Sequence, residues 1–587
     1  MLKRIISPLL FLFFAWFVVS NENAKTIIAG IAIFLIGMHY MENGFKLFSG
    51  GVLENVLQKF TSTTPKAIGT GFLATSVVQS SSLVSVIVIS FLSAELMGLT
   101  SAVGVVFGSN IGTTTTAWLV SSLGLKIKIA QYALPMLIFG VIMQFSKHNS
   151  YKGLGNVLIG LGFIFLGIAY MKEGFETLKE GLNLAEYAMA GYLGVFVYIF
   201  FGAVATVVIQ SSSATMAIII TALATGQIDY INALSLAIGA NIGTTVTAIL
   251  GALASNKNGK RLAVAHLIFN LITGIIAIVF IYQLKDLVDI IAPLLTISED
   301  DYAMKLALFH TIFNVIGVLV VAPFIKQLVR FLETLFCTKE QDRGQPKYLT
   351  DEVMEIPASA LEAIRKETIH LYDKSLEAIV HAMNLHRKEI FSDKEVHDVI
   401  EESNLPFDID IDQVYQNDIK NLYGEILRYS SRSQSYMDEE GNNQVYELKL
   451  TARNIIETLK DIRELQKNLN NFTKSKNWFM IHEYNKLRKE LVTIFREIEE
   501  MRSTSDDATE IMTQIQVLKE KANDNEIAMS KNIDSLIREN KIDSKMASSL
   551  INDAGFTFSI SKKLLKTASV LWVNDLEITE LGDEYEY

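Results

Sequence analysis

Cysteine is almost absent from this chain: Cys337 stands alone among 587 residues. A single cysteine excludes an internal disulfide, and no base is evidently paired with it for catalysis. Basic excess is missing too. Lys and Arg number 52 against 63 Asp and Glu, a formal net charge of −11. That balance argues against nucleic acid as a partner, since binding it calls for a basic footprint. No nucleophile–base pair, phosphate-binding P-loop or metal-ligand cluster is visible, and serine runs without a neighbouring base are inert. No enzyme is expected.

Charge is also missing locally, and that absence organises the chain. Half the residues are hydrophobic and a fifth are charged, but the two kinds are segregated. Residues 1 to about 335 hold runs such as IIAGIAIFLIGMHYM (27–41) and LAVAHLIFNLITGIIAIVFIYQL (262–284), whereas charges recur throughout the sequence beyond 338. Runs of roughly 20 apolar residues can cross a ~30 Å hydrocarbon layer. An all-α chain is therefore expected, a polytopic membrane domain followed by a soluble helical one. Expected spans lie near 5–21, 26–43, 83–97, 99–122, 127–146, 152–171, 214–226, 231–253, 262–284 and 304–324. The shorter, Gly/Ala/Thr-rich pieces 65–78 and 192–209 read as re-entrant half-helices. Residues 1–25 imitate a signal peptide, but a second apolar segment follows at once, so an uncleaved first span or signal anchor is expected.

The membrane part repeats itself. GFLATSVVQSSS (71–82) lies over GAVATVVIQSSS (202–213), and GSNIGTTTTAWL (108–119) over GANIGTTVTAIL (239–250), both at an offset of 131. Upstream, IGMHYMENGF (36–45) matches LGIAYMKEGF (166–175) at 130. The domain is a duplicated unit, with one repeat at 26–150 and the second, with trailing spans, at 151–337. A shorter echo pairs AHLIFN (265–270) with FHTIFN (309–314).

Within these greasy stretches sit one amide and three hydroxyls, twice. Between Ala67 and Lys126 the only charged side chain is Glu95, and between Tyr187 and Lys257 it is Asp229. Consecutive serines lie about 100° apart and cannot all face one neighbour, so each cluster reads as a helix break presenting hydroxyls and freed N–H groups. Half-helix N-termini and hydroxyls can hold an anion without Arg or Lys, provided a co-bound cation supplies the charge. Sodium suits the oxygens of Gln79, Gln210, Asn110, Asn241, Thr113, Thr114, Thr244 and Thr245. The glycines around each Asn, Gly108 and Gly112, Gly239 and Gly243, are expected to permit an unwound segment, with close helix packing as the alternative. His266 and His310 read as buried neutral rings, with Asn270 and Asn314 as partners one turn on.

Beyond residue 350 the apolar residues keep helical spacing, as in Leu361, Ile364, Leu371 and Ile379, or Leu448, Ile455, Leu459 and Ile462. Six long amphipathic helices over 351–571 suit two three-helix bundles, after a linker at 338–350 and before an acidic tail at 572–587.

The doubled QSSS, each followed by G[SA]NIGTT, with a later AHLIFN, resembles the type II sodium-dependent phosphate cotransporter family. The C-terminal region resembles the PhoU-type helical domain fused to many bacterial members. This resemblance implies sodium-coupled symport of inorganic phosphate, with Na+ the coupling ion and no other cofactor, through inverted repeats. It implies a binding set of Gln79, Ser80, Ser81 and Ser82 facing Gln210, Ser211, Ser212 and Ser213, assisted by Asn110 to Thr114 and Asn241 to Thr245. Leu267 and Thr311 stand where electrogenic vertebrate members carry Asp after the histidine, so an electroneutral cycle is expected. Glu425 is followed by Tyr429 where PhoU-type clusters have Asp, and Glu457 with Asp461 reads as a solvated face, so no metal site is assigned. The resemblance places the protein in the cytoplasmic membrane with its C-terminal domain cytosolic. Lys326 and Arg330 agree with positive-inside placement. A homo-oligomeric or cytosolic regulatory partner would act through 351–571. The rival readings are a symporter for another small oxyanion and a membrane phosphate-status receptor or scaffold.

Overall fold

In hydrocarbon every backbone polar group must be satisfied within the chain, so long apolar runs fold as helices. The computed structural model describes residues 15–49, 52–125, 130–181, 188–253, 255–336, 344–403, 410–504 and 508–573. Every regular element among them is helical. The chain divides into two compact units, 1–338 and 339–587. Most of the expected first span at 5–21, Cys337 and the acidic end beyond 573 lie outside the described residues.

The first unit contains α1 (Glu22–Ser49), α2 (Val52–Lys59), α3 (Thr64–Val78), α4 (Ser81–Ser93) and α5 (Leu99–Trp118), which runs on as a π-helical turn to Gly124. It continues with α6 (Ala130–Gln144), α7 (Asn149–Gly181), α8 (Gly191–Ile209), α9 (Ser212–Ala224) and α10 (Tyr230–Ala252). α11 (Lys257–Val279), α12 (Ile281–Ile291), α13 (Tyr302–Val321) and α14 (Ile325–Thr334) complete it. Six described stretches are long and apolar enough to cross a membrane: 22–47, 149–179, 191–209, 230–252, 257–279 and 302–334. This is a multi-pass membrane protein.

Three expected spans are corrected: 127–146 is described only as the 15-residue α6, and the other two are shorter still. Segments 83–97 and 214–226 fold as α4 and α9, of 13 residues each. At 1.5 Å per residue each is about 20 Å long, short of a bilayer core. Each is joined by a left-handed residue, Gln79 or Gln210, to the helix before it. Segment 192–209, read as a short piece, forms the 19-residue α8 and is long enough to cross. The run 262–284 breaks at Phe280 between α11 and α12.

The duplication recurs as contacts. A methyl group on Gly71 would stand 2.0 Å from the Val105 carbonyl oxygen, and one on Gly202 would stand 2.2 Å from that of Leu236. Gly108 faces the Ile68 carbonyl at 1.9 Å, and Gly239 that of Ile199 at 2.1 Å, in the same sense. All four contacts map onto one another at the offset of 131. The expected unwinding at Gly108–Gly112 and Gly239–Gly243 is thereby overturned. Both stretches are continuous helix, and their glycines admit the backbones of α3 and α8.

Helices α1 and α7, equivalent in the two repeats, pack on each other by the same device. Gly30 meets Gly167, and Gly37 meets Gly160, with each Cβ position 2.7–2.8 Å from the opposing carbonyl oxygen. At the offset of 130, Gly30 corresponds to Gly160 and Gly37 to Gly167, so the pairing is reciprocal and the helices run antiparallel. The ends of α11 give the same sense. At its N-terminus, Asn256 Nδ2 donates to the Ser93 carbonyl (3.2 Å) where α4 ends. Near its C-terminus, the Val279 carbonyl accepts from Tyr192 Oη (3.4 Å) where α8 begins. The α3–α4 and α8–α9 pairs thus reach opposite ends of α11. Arg261, also on α11, donates to the Glu333 (2.9 Å) and Leu335 (3.3 Å) carbonyls closing α14, and to Asn258 Oδ1 (3.0 Å).

The second unit comprises α15 (Pro357–Ala382), α16 (Lys420–Ser433), α17 (Glu439–Phe472), α18 (Trp478–Thr504), α19 (Ala508–Arg538) and α20 (Ser544–Leu571), with short helical turns between. Its buried apolar residues form one cluster, from Leu371 through Leu459 and Phe495 to Leu564. Residues 344–350 are tied down: the wholly buried Glu367 carboxylate accepts from the Lys347 and Tyr348 amides (2.8 Å each) and from His370 Nδ1 (2.7 Å). Arg488 is 1% exposed and pairs with no carboxylate among the described residues. It donates to the Met383 (3.0 Å), Asn384 (3.4 Å), Ile400 (3.3 Å) and Ser403 (2.9 Å) carbonyls, where α15 and the helical turn Val396–Glu402 end. Burial lowers its guanidinium pKa to about 10.

Candidate substrate and ion site

Each hairpin tip is a Gln in left-handed conformation followed by a serine cap. Gln79 (φ 60°) and Gln210 (φ 56°) occupy a region that costs a non-glycine residue about 1 kcal/mol. Ser80 Oγ accepts from the Leu83 amide, and Ser211 Oγ from that of Ala214, at 3.2 Å each. These two serines are N-caps, which leaves the first two amides of each short helix, at Ser81–Ser82 and Ser212–Ser213, without intrahelical acceptors. Free amides and a helix dipole at a chain break form an anion-attracting end.

The two tips differ. Gln79 is buried and fully held: Nε2 donates to the Ser76 carbonyl (2.5 Å) and Thr115 Oγ1 (2.8 Å), while Oε1 accepts from Thr116 Oγ1 (2.8 Å). Gln210 is exposed. Its counterpart to Thr115 is Val246, which offers no hydroxyl. Thr116 also reaches across to Ser213 Oγ at 3.3 Å, joining the first repeat's tip to the second's.

The threonines of the NIGTT segments spend their protons on their own helices. Thr113 donates to the Ser109 carbonyl (3.0 Å), Thr114 to Ile111 (2.7 Å), Thr244 to Ala240 (3.0 Å) and Thr245 to Ile242 (2.7 Å). Their oxygens keep only lone pairs to offer, which suits a cation. Ser81 and Ser82 make no side-chain hydrogen bond among the described residues and line a cavity of about 50 Å³ with Ser85, Thr244, Thr247 and His266. Donors of the first repeat therefore face acceptors of the second.

The asparagines take different partners. Asn241 Nδ2 donates to Asn270 Oδ1 (3.0 Å) and Asn314 Oδ1 (3.1 Å), binding α10 to α11 and α13. Asn110 Oδ1 lies 3.4 Å from His266 Nε2. Asn270 and Asn314 bond the His266 and His310 backbone carbonyls, not their rings, which corrects the pairing expected from sequence. The fourteen expected residues thus fall into parts: Ser81, Ser82 and Thr244 share the cavity, Gln79 and Ser213 meet through Thr116, and Ser80 and Ser211 cap. Thr115, Thr116, Ser85 and Thr247 were missed. The TTTT run that contains the first two was visible, but its pairing with Gln79 is tertiary.

In the second unit, Glu457 bonds Arg453 (2.8 Å), and Asp461 bonds Lys563 (2.8 Å) and Ser559 (3.0 Å). Both carboxylates are occupied by cations.

Residues 33–173 and 185–325 each match the Na+/Pi-cotransporter family. Each segment encloses one hairpin and one NIGTT helix. The chain is 28% identical over 266 residues (45% of its length) to YjbB of Salmonella typhimurium, a protein named for inorganic phosphate export, and this spans 48% of that relative. Over 263 residues (45% of the chain) it is 28% identical to YqeW of Bacillus subtilis, covering 84% of that protein. A 92-residue stretch, 15% of the chain, is 42% identical to the sodium-dependent phosphate transport protein 2B of Bos taurus, covering 13% of it. The chain thus spans about half the length of its Salmonella relative. No solved structure matches it. The family is one of transporters, not enzymes, and through both matched segments the first unit of this chain belongs to the Na+/Pi-cotransporter family.

Proposed function

We propose that the protein is a sodium-coupled symporter of inorganic phosphate. The observation that carries this reading is the cavity between α4, α10 and α11 where first-repeat serines face second-repeat threonines; the two hairpins reach opposite ends of α11. Amides and hydroxyls of Ser81, Ser82, Ser212 and Ser213 hold the anion. The oxygens of Thr113, Thr114, Thr244 and Thr245, with Asn110, Asn241 and the two glutamines, hold sodium. No charged side chain lines the cavity, so each ion neutralises the other, and neither settles well alone. We read the two repeats of the first unit as inverted about this site, an arrangement that supports access from alternate sides.

The second unit is read as a PhoU-like cytosolic domain that regulates transport in the cytoplasmic membrane. The YjbB name favours a second reading of direction, in which net movement is outward under physiological load. Purified protein in liposomes tests both: labelled phosphate uptake should follow an imposed sodium gradient and not potassium or proton gradients. Uptake indifferent to sodium would end the symport reading. Efflux from phosphate-loaded vesicles measures the outward arm.

A further inference from the structure

His266 belongs to neither QSSS nor NIGTT. It sits on α11, 4% exposed, with its ring lining the cavity. Its protonation pattern follows from its neighbour. Asn110 Nδ2 donates to the Val106 carbonyl (2.9 Å), so Asn110 turns its oxygen toward the ring, and an amide oxygen only accepts. The hydrogen therefore sits on His266 Nε2. Nδ1 of the neutral ring is then a bare lone pair, and that atom is buried without a partner. No carboxylate lines the cavity to balance a second proton.

An unpartnered acceptor on a residue that lines the cavity with Ser81, Ser82 and Ser85 is a selective feature. Hydrogen phosphate and sulfate share tetrahedral shape and charge at neutral pH, but only phosphate carries a hydrogen. Resting on the phosphate-site reading above, we propose that His266 Nδ1 accepts the hydroxyl hydrogen of the bound oxyanion. It is thereby the specificity-determining residue that admits hydrogen phosphate and arsenate and rejects unprotonated tetrahedral dianions. The contact is a hydrogen bond; the proton stays on the oxyanion. An ion without that hydrogen would leave the lone pair facing an anionic oxygen, and an unsatisfied buried polar group discriminates more sharply than a lost apolar contact.

The test is competition against labelled phosphate uptake by the full chain in liposomes, with arsenate, sulfate and monofluorophosphate, which carries fluorine in place of the hydroxyl. Arsenate should compete near phosphate's own concentration, and the other two only at about 100-fold more. Wild-type protein inhibited equally by monofluorophosphate and arsenate overturns the proposal without any variant. His266→Phe keeps a ring of similar size and removes the Nδ1 acceptor, together with the Nε2 contact to Asn110. It should weaken phosphate about tenfold and narrow the gap to sulfate about tenfold. A variant that loses phosphate affinity with the gap unchanged assigns His266 a merely structural role and also overturns the idea. Wild-type protein that moves none of these ions removes the transport reading itself.

Discussion

At the scale of single residues, Thr116 has the most to lose. Its hydroxyl serves Gln79 and Ser213 at once, so Thr116→Val strands one buried amide oxygen and frees one hairpin tip. Losing such a bond costs about 1–3 kcal/mol. Initial uptake rates, normalised to inserted protein, should fall about tenfold or more with that cost. Gly108 is tested by contrast with Gly69. A methyl at Gly108 would enter the Ile68 carbonyl, whereas none of the surroundings lies within 4 Å of one at Gly69. Gly108→Ala should destabilise by about 1–3 kcal/mol and Gly69→Ala should be neutral or slightly stabilising, read by thermal unfolding in detergent. The candidate residues stood out because duplication marks them. Their division of labour was not. Nothing in QSSS says which serine caps, and a glycine beside asparagine serves unwinding and close packing equally until the facing backbone is known.

Among elements, α4 and α9 escaped sequence reading as half-length helices for a related reason. Apolar composition does not distinguish a chain that crosses from one that turns back, and here the turn residue is Gln where Gly would have given the signal. The long helices and both units were plain from hydropathy and charge. Two arginines then tie elements that sequence leaves unconnected. Arg261 joins the end of α14 to Asn258; the Asn258 amide donates to Asn256 Oδ1 (2.9 Å), and Asn256 bonds Ser93 at the base of α4. Arg261→Gln should loosen that base and lower uptake while leaving the second unit's unfolding unchanged, which separate monitoring of transport and thermal transitions would check. Arg488 gathers four carbonyls at two helix ends, where a cation also complements the dipoles. Arg488→Met leaves those carbonyls buried and unpaired, and should cost the second unit about 2–5 kcal/mol by denaturant unfolding.

For the molecule as a whole, the two units make separable claims. A chain ending before Gly344 keeps every site residue and both Arg261 contacts to α14, so a transporter should retain phosphate uptake without the helical domain. A receptor would lose its output. One hydroxyl also separates the halves: Thr115 steadies one tip, and Val246 leaves the other slack. A machine with matched halves would idle equally in its two extreme postures. Read as a two-posture carrier, the protein would favour whichever posture keeps this extra bond, worth about 0.5–1.5 kcal/mol, by roughly two- to tenfold. Val246→Thr would supply the missing latch, level the two postures and change how fast the empty carrier resets relative to loaded exchange.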